Sequence, residues 1–516
     1  MTDIKATSST SATTAPTAGR PARRLGQISL VACLGGLLFG YDTGVANGAE
    51  GHMAQELGLN VLQLGVVISS LVFAAAFGAL FAGRISDEIG RRKTIITLSV
   101  LFFLGSILVV LSPAGELGQF YGPGFATLVT GRIMLGLAVG GASTVVPVYL
   151  AELAPLEIRG SLTGRNELAI VTGQLLAFVI NALIAVTLHG VIDGIWRIMF
   201  AVCALPAVAL FFGMLRMPES PRWLVNQGRY DDARRVMETV RIPERAKAEM
   251  DEIIAVHSEN NAALPGVKQS SGQASGQASG QVSGQVSSKH THMSIGEVLS
   301  NKWLVRLLIA GIGVAVAQQL TGINAIMYYG TRVLEESGMS AEMAVVANIA
   351  FGAVAVIGGL IALRNMDRLD RRTTFIIGLS LTTTFHLLIA AAGTLLPEGN
   401  SIRPFAIMIL VVGFVLSMQT FLNVAVWVWL AEIFPVRMKG IGTGISVFCG
   451  WGINGVLALF FPALVSGVGI TFSFLIFAVV GVIALAFVTK FVPETRGRSL
   501  EELDHAAFTG QIFKKA

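Results

Sequence analysis

Three amides, Gln318, Gln319 and Asn324, fall within seven residues of an otherwise apolar run that continues through Tyr328 and Tyr329. A side-chain amide offers a donor and an acceptor together, which suits a solute edged with hydroxyl groups. The competing use of such amides is hydrogen bonding between helices of a bundle. Gly322 lies among them and permits a helix to unwind at this point. A second feature is an acid, Asp42, deep in the apolar stretch Leu37-Leu-Phe39-Gly-Tyr-Asp42. An acid at the centre of a membrane helix costs about 2.5–3.5 kcal/mol on insertion scales, so a function is expected of it. Arg132, at the start of another apolar run, offers a basic partner. If their contact changes with conformation, the proton affinity of Asp42 changes with it. The alternative is a static ion pair that holds helices together.

The elements that carry these residues are membrane spans. Of 516 residues, 53% are hydrophobic and 13% charged, against about 25% charged in an average soluble chain. Twelve apolar runs, near 25–46, 63–83, 94–112, 124–147, 163–187, 194–215, 303–330, 341–363, 374–394, 404–430, 440–464 and 467–491, are each long enough to cross a bilayer, which takes about 20 residues. They are continuous rather than alternating, which excludes a β-barrel. The net charge of +5 does not imply nucleic acid, because the basic residues sit in alternate loops. Arg20, Arg23 and Arg24 precede the first span, and Arg84, Arg91, Arg92 and Lys93 separate the second from the third. The loops near 47–62 and 113–123 hold no Lys or Arg. The positive-inside rule then predicts cytoplasmic termini. Cys33, Cys203 and Cys449 lie apart in apolar spans and form neither a disulfide framework nor a metal signature. No nucleophile–base set or phosphate loop is present, so neither an enzyme nor a cofactor is expected.

The predicted organisation is a disordered cytoplasmic tail (1–24), a six-helix bundle (25–216), a cytoplasmic linker (217–302), a second six-helix bundle (303–491) and a tail (492–516). The linker begins helical, from Tyr230 to Ile254, and ends in a Ser-Gly-Gln repeat over 271–288 that cannot bury a core. The two halves repeat. Asp87-Glu-Ile-Gly90-Arg91-Arg92 returns as Asp367-Arg368-Leu369-Asp370-Arg371-Arg372, and Ala151-Glu152-Leu-Ala-Pro155 returns as Ala431-Glu432-Ile-Phe-Pro435, each 280 residues later. Pro218-Glu219-Ser220-Pro221-Arg222 returns as Pro493-Glu494-Thr495-Arg496 after 275. Parallel repeats of this kind characterise one large class of transporters.

With these motifs the chain resembles the sugar porters of the major facilitator superfamily, over about residues 25–505. The stretches Gly140–Pro155 and Gly164-Arg-Asn-Glu-Leu168 are similar to bacterial inositol–proton symporters. The resemblance implies an all-α fold of twelve helices in two pseudo-symmetric bundles. It implies a multi-pass protein of the bacterial plasma (inner) membrane that moves a small polyhydroxylated solute, driven by protons and acting as a monomer. In such symporters an acid at Asp42 titrates and an arginine at Arg132 modulates it, whereas uniporters carry a neutral residue at Asp42. Gln318, Gln319 and Asn324 are implied to contact solute, with Phe39, Gln174, Asn348, Tyr328, the ring of Trp427 and the pair Trp451 and Asn454. Trp429 and Trp303 fit interfacial anchoring better. Glu167 stands where many relatives have Gln; it would accept solute hydroxyls, hold a proton, or pair with Arg165. At the cytoplasmic edge Asp87, Arg91, Arg92, Glu152, Arg159, Glu219 and Arg222, with Asp367, Arg371, Arg372, Glu432 and Glu494 in the second half, are implied to form a conformational latch. Their alternative role is topology alone. Asp370 replaces the expected glycine, so a looser second latch is predicted. Besides proton symport of a polyol or monosaccharide, the same fold serves uniporters and non-transporting nutrient receptors; the latter are expected to carry a long signalling tail, and only a short segment follows Leu503.

Overall fold

Each apolar run folds as a helix because backbone N–H and C=O groups in hydrocarbon find partners only within the helix itself. The computed structural model describes residues 20–113, 122–155, 159–188, 192, 194–262, 293, 295–365, 368–435, 438–496 and 506–513. The Ser-Gly-Gln repeat, most of the N-terminal tail and Asp367 lie outside the described residues.

The first half comprises α1 (Arg20–Leu57), α2 (Val61–Ile89), α3 (Arg91–Val110), α4 (Pro123–Leu153), α5 (Arg159–Leu188) and a sixth crossing made of α6 (Ile195–Val202) and α7 (Ala204–Leu215). Four short helices follow: α8 (Pro221–Asn226), α9 (Tyr230–Val240), α10 (Pro243–Ala262) and α11 (Ile295–Ser300). The second half comprises α12 (Lys302–Leu320), α13 (Ile323–Glu336), α14 (Ala341–Asn365), α15 (Arg371–Leu395), α16 (Arg403–Met418), a π-helical turn at Gln419–Asn423, α17 (Val424–Ile433) and α18 (Lys439–Phe491). Eleven helical stretches among the described residues are long and apolar enough to cross a membrane. The last has 53 residues, about 80 Å at 1.5 Å per residue, more than twice the ~30 Å hydrocarbon core. It breaks at Gly469, where φ is 78° and ψ is 169°, and therefore supplies two crossings. The protein has the twelve-helix fold of the major facilitator superfamily, in two halves.

Polarity is inverted relative to a soluble protein. Leu183, Ile409 and Ile483 are exposed on the outside, whereas Asp42, Arg132, Asn47, Asn181 and Asn454 are buried inside. The closest helix packing joins α1 to α5. Gly36, Gly40, Gly44 and Gly48 recur every fourth residue along α1; the backbone of α5 lies against the first three and the Asn181 side chain against Gly48. A Cβ on Gly40 would fall 1.7 Å from the carbonyl oxygen of Ile170. Asn181 on α5 donates to the carbonyl of Gly44 at 3.0 Å. This packing fixes the face of α1 that turns to the rest of the protein. Between the halves, α2 packs on α18, α5 on α14, and α1 on α13.

The charged motifs gather at one end of the bundle. Arg91 bonds Glu152 at 3.0 Å and Asp87 at 2.8 Å. Glu219 accepts from the backbone N–H of Arg92 at 3.0 Å, and the Arg92 side chain donates to the carbonyl of Met214 at 3.0 Å. The second half repeats this: Arg371 bonds Glu432 at 3.1 Å, and Glu494 accepts from the N–H groups of Arg371 and Arg372 at 3.0 and 2.9 Å. These contacts join elements of one half, so each stiffens the end of its own bundle. Arg222 is exposed on α8, and the side chain of Arg159 lies outside the described residues. The turn predicted to be looser is rebuilt instead. Asp370 caps α15 with φ of −67°, where Gly90 needs φ of 100°, and it gains an ion pair to Arg496 at 3.0 Å. At the same end α8, α9 and α10 enclose a small core of Trp223, Leu224, Met237 and Met250. Arg241 ties that core to α4 through the carbonyl of Leu153 at 2.9 Å.

Candidate functional site

The seventh crossing is broken where the amides cluster. α12 stops at Leu320 and α13 starts at Ile323, with Gly322 between them at φ of 78°, in the left-handed region. The break points Gln319 and Asn324 at each other: Asn324 Nδ2 donates to Gln319 Oε1 at 2.7 Å. Gln318 and Gln319 are buried and Asn324 is half-buried. A second departure from helical geometry, at Tyr329, turns its hydroxyl onto the carbonyl of Ala458 at 2.7 Å.

Other crossings carry the further aromatic and amide groups implicated by the sequence. Trp451 and Asn454 are buried in α18. The ring of Phe39 on α1 meets that of Trp451 across the two halves, with centroids 5.4 Å apart. Tyr328 is buried on α13, its ring against that of Tyr329 with centroids 6.5 Å apart. Neither amide atom of Asn454 makes a hydrogen bond of normal geometry. Trp427 is half-buried on α17, one turn beyond the π-helical segment that ends at Asn423. A single π-turn inside a long helix often marks a functional site. Gln174 is buried on α5 with its Oε1 unbonded, and Glu167 is half-buried two turns earlier on the same helix.

Asp42 and Arg132 form an ion pair at 3.0 Å, and both are 0% exposed. The Arg132 Nε also donates to the carbonyl of Val67 at 3.3 Å, and its guanidinium carbon lies 5.7 Å from the centre of the Phe200 ring. One oxygen of Asp42 and one terminal nitrogen of Arg132 remain without a hydrogen bond. The pair is thus joined through a single contact and retains capacity for another partner. On the same helix, one turn before Asp42, Phe39 meets Trp451 of the second half.

Asn348, implied to contact solute, is engaged within the protein. Its Nδ2 donates to Thr331 Oγ1 at 2.9 Å and to the carbonyl of Ala344 at 2.8 Å, while its Oδ1 accepts from Asn47 at 3.2 Å. The reason is its position near the start of α14, away from the basic end, where α1 and α13 close on each other. Asn47 is the centre of this contact and was not singled out in the sequence. Its Nδ2 also reaches the carbonyls of Ile326 and Met327 at 3.2 and 3.0 Å, and its Oδ1 accepts from the N–H and hydroxyl of Thr331 at 2.8 and 2.7 Å. It staples the two halves together at the end opposite the charged motifs. The available signal was an amide five residues after Asp42, inside the same apolar span.

Comparison with known proteins agrees with this architecture. The chain is 42% identical over 480 residues to the major myo-inositol transporter IolT of Bacillus subtilis, covering 92% of this chain and 93% of that protein. Its structure superposes on the partially occluded inward-open conformation of the xylose transporter XylE from E. coli with a TM-score of 0.76, at 26% identity, covering 92% of this chain and all of that one. The proton:xylose symporter XylE bound to 6-bromo-6-deoxy-D-glucose gives a TM-score of 0.71 at 28% identity, over 94% of this chain and 99% of that one. The profile described as "Sugar (and other) transporter" matches residues 28–507, and the chain belongs to this sugar porter family of multi-pass membrane transporters.

Proposed function

We propose that the chain is a proton-coupled symporter of a cyclic polyol or monosaccharide, with myo-inositol the favoured solute, working by alternating access between its two halves. The observation that carries this reading is the fully buried Asp42–Arg132 pair, in a chain where Phe39 of the first half meets Trp451 of the second and Gln319 bonds Asn324 across the break in the seventh crossing. An Asp that trades its Arg partner for a proton as the halves move would link proton transfer to solute movement. The names of the relatives IolT and XylE support the solute class and the proton. Gln318, Gln319, Asn324, Asn454, Trp427 and Trp451 would hold the solute, its hydroxyls on amides and its C–H face on an indole. Glu167 would add a carboxylate acceptor. The proposal places the basic end and both termini in the cytoplasm, in keeping with the positive-inside rule, and gives the protein no enzymatic step and no cofactor. With that orientation the Asn47 contact closes the outer side.

The test is uptake by cells expressing the chain, using labelled myo-inositol, glucose and xylose with and without a protonophore. Accumulation of one of them above its external concentration, abolished by the protonophore, is the expected result. Equilibration that ignores the protonophore would instead make the chain a uniporter.

A further inference from the structure

A cavity of about 420 Å³ lies at the closed end of the interface between the halves, beyond the Asn47 contact and separate from the amides and aromatics of the candidate site. It is within the range of about 300–1,000 Å³ typical of small-molecule sites. Its lining comes from both halves: Glu50, Ala54 and Leu64 from the first, and Arg332, Glu335 and Glu336 from the second. Glu50 forms the floor. It is 3% exposed, and its Oε2 makes no hydrogen bond. A buried polar atom without a partner is costly, and native structures rarely keep one without a use. Ala54 and Leu64 make an apolar wall. Arg332 is anchored by Nη2 to Ser466 at 2.7 Å, while its Nε is unbonded. Glu335 and Glu336 stand exposed at the rim.

From this arrangement we propose that the cavity is a second, outer binding site for a polyhydroxylated ring, an antechamber held by Glu50 and Arg332 while the central site is closed to that side. The inference rests on the solute class proposed above. Carboxylates accept only, and a diol supplies the donors they lack; the guanidinium donates to a ring or hydroxyl oxygen. The apolar wall receives a C–H face. Residues of both halves line the site, so separation of α1 from α13 on opening would take it apart and release its occupant next to the uncovered central site.

The experiment counts sites on the purified full-length protein with tritiated myo-inositol. Wild type is expected to bind about two molecules per chain. Glu50→Leu, which replaces the floor acceptor with an apolar side chain, should bind about one, whereas Gln319→Ala should leave the outer class unchanged and weaken the central class roughly tenfold. The two effects should add in the double variant. Because Glu50→Leu also changes local packing, the rim variant Glu335→Gln/Glu336→Gln gives a second measurement and should weaken the outer class of sites at least several-fold. One site per chain in wild type, weakened in Gln319→Ala and intact in Glu50→Leu, would overturn the antechamber while leaving the transport reading in place. So would displacement of the outer class by millimolar sodium or calcium alone, since the cavity would then be a cation site. Wild type that neither binds nor transports myo-inositol, glucose or xylose would remove the transport reading and this inference together.

Discussion

The carboxylate of Asp42 and the guanidinium of Arg132 meet through one 3.0 Å contact in a site where neither side chain is exposed. Removing one member of a buried pair leaves an uncompensated charge, which costs about 3–5 kcal/mol. Asp42→Asn should therefore yield less stable protein, and the double variant Asp42→Asn/Arg132→Gln should recover most of the loss in a thermal unfolding assay in detergent. The transport outcome differs. Asp42→Asn should abolish uphill accumulation yet retain counterflow exchange, which needs no net proton movement. Full accumulation by this variant under a pH gradient would refute coupling at Asp42.

Gln319 is bonded to Asn324 at 2.7 Å across the break at Gly322. Gln319→Ala takes away an amide and also leaves Asn324 without its present partner. A hydrogen bond contributes about 0.5–1.5 kcal/mol net, so the loss of one or two solute contacts should weaken solute affinity by roughly tenfold, 1.4 kcal/mol being one decade. Equilibrium binding measures it, with size-exclusion profiles confirming folded protein. Wild-type affinity in the variant would remove Gln319 from the site.

Much of this architecture is written locally and twice. Arg91 and Glu152 recur as Arg371 and Glu432 with the same spacing, and both pairs are bonded in the structure. The amides at 318, 319 and 324 were visible because polar residues in an apolar run stand out. What was hidden depends on partners far along the chain. Asn47 looks like any buried amide until α13, about 280 residues later, is laid against it. The bonds of Asn348 were hidden for the same reason: its partners Thr331 and Asn47 lie 17 and 301 residues away. Asp370 broke the repeat as a letter but not as a structure, because its backbone enters α15 at an ordinary φ and its carboxylate pairs with Arg496.

Asn47 makes the population of the two end states testable. Asn47→Ala deletes its bonds to Thr331 and to the carbonyls of Ile326 and Met327. In the closed state the buried Thr331 N–H would then be unsatisfied, at a cost of about 1–3 kcal/mol. Opening at that end relieves the cost by admitting water, so the equilibrium should move about tenfold towards the open form. Spin labels at the exposed positions Gln55 and Ser340, in a background without the native cysteines, would report it as a shift from short to long distances. An unchanged distance distribution would show that α1 and α13 are held together by something other than Asn47.

The glycine stripe of α1 makes the last prediction, one about folding. Gly40→Ala places a methyl group 1.7 Å from the Ile170 carbonyl oxygen, far inside contact distance. The obstacle is backbone, so no rotamer change can relieve it, and α1 must move off α5. That movement would pull Asn181 from the carbonyl of Gly44 and shift Asp42, two residues on, away from Arg132. Overpacking of a well-filled core costs about 1–3 kcal/mol and occasionally more; a backbone collision belongs at the upper end. By contrast, a Cβ on Gly452 would meet nothing within 4 Å, and a Gly452→Ala change there should be close to neutral. Monodisperse yield in detergent distinguishes the two: Gly40→Ala should fall well below wild type and Gly452→Ala should match it. Equal yields would mean that α1 and α5 tolerate separation, and the fixed placement of Asp42 argued from their packing would fail.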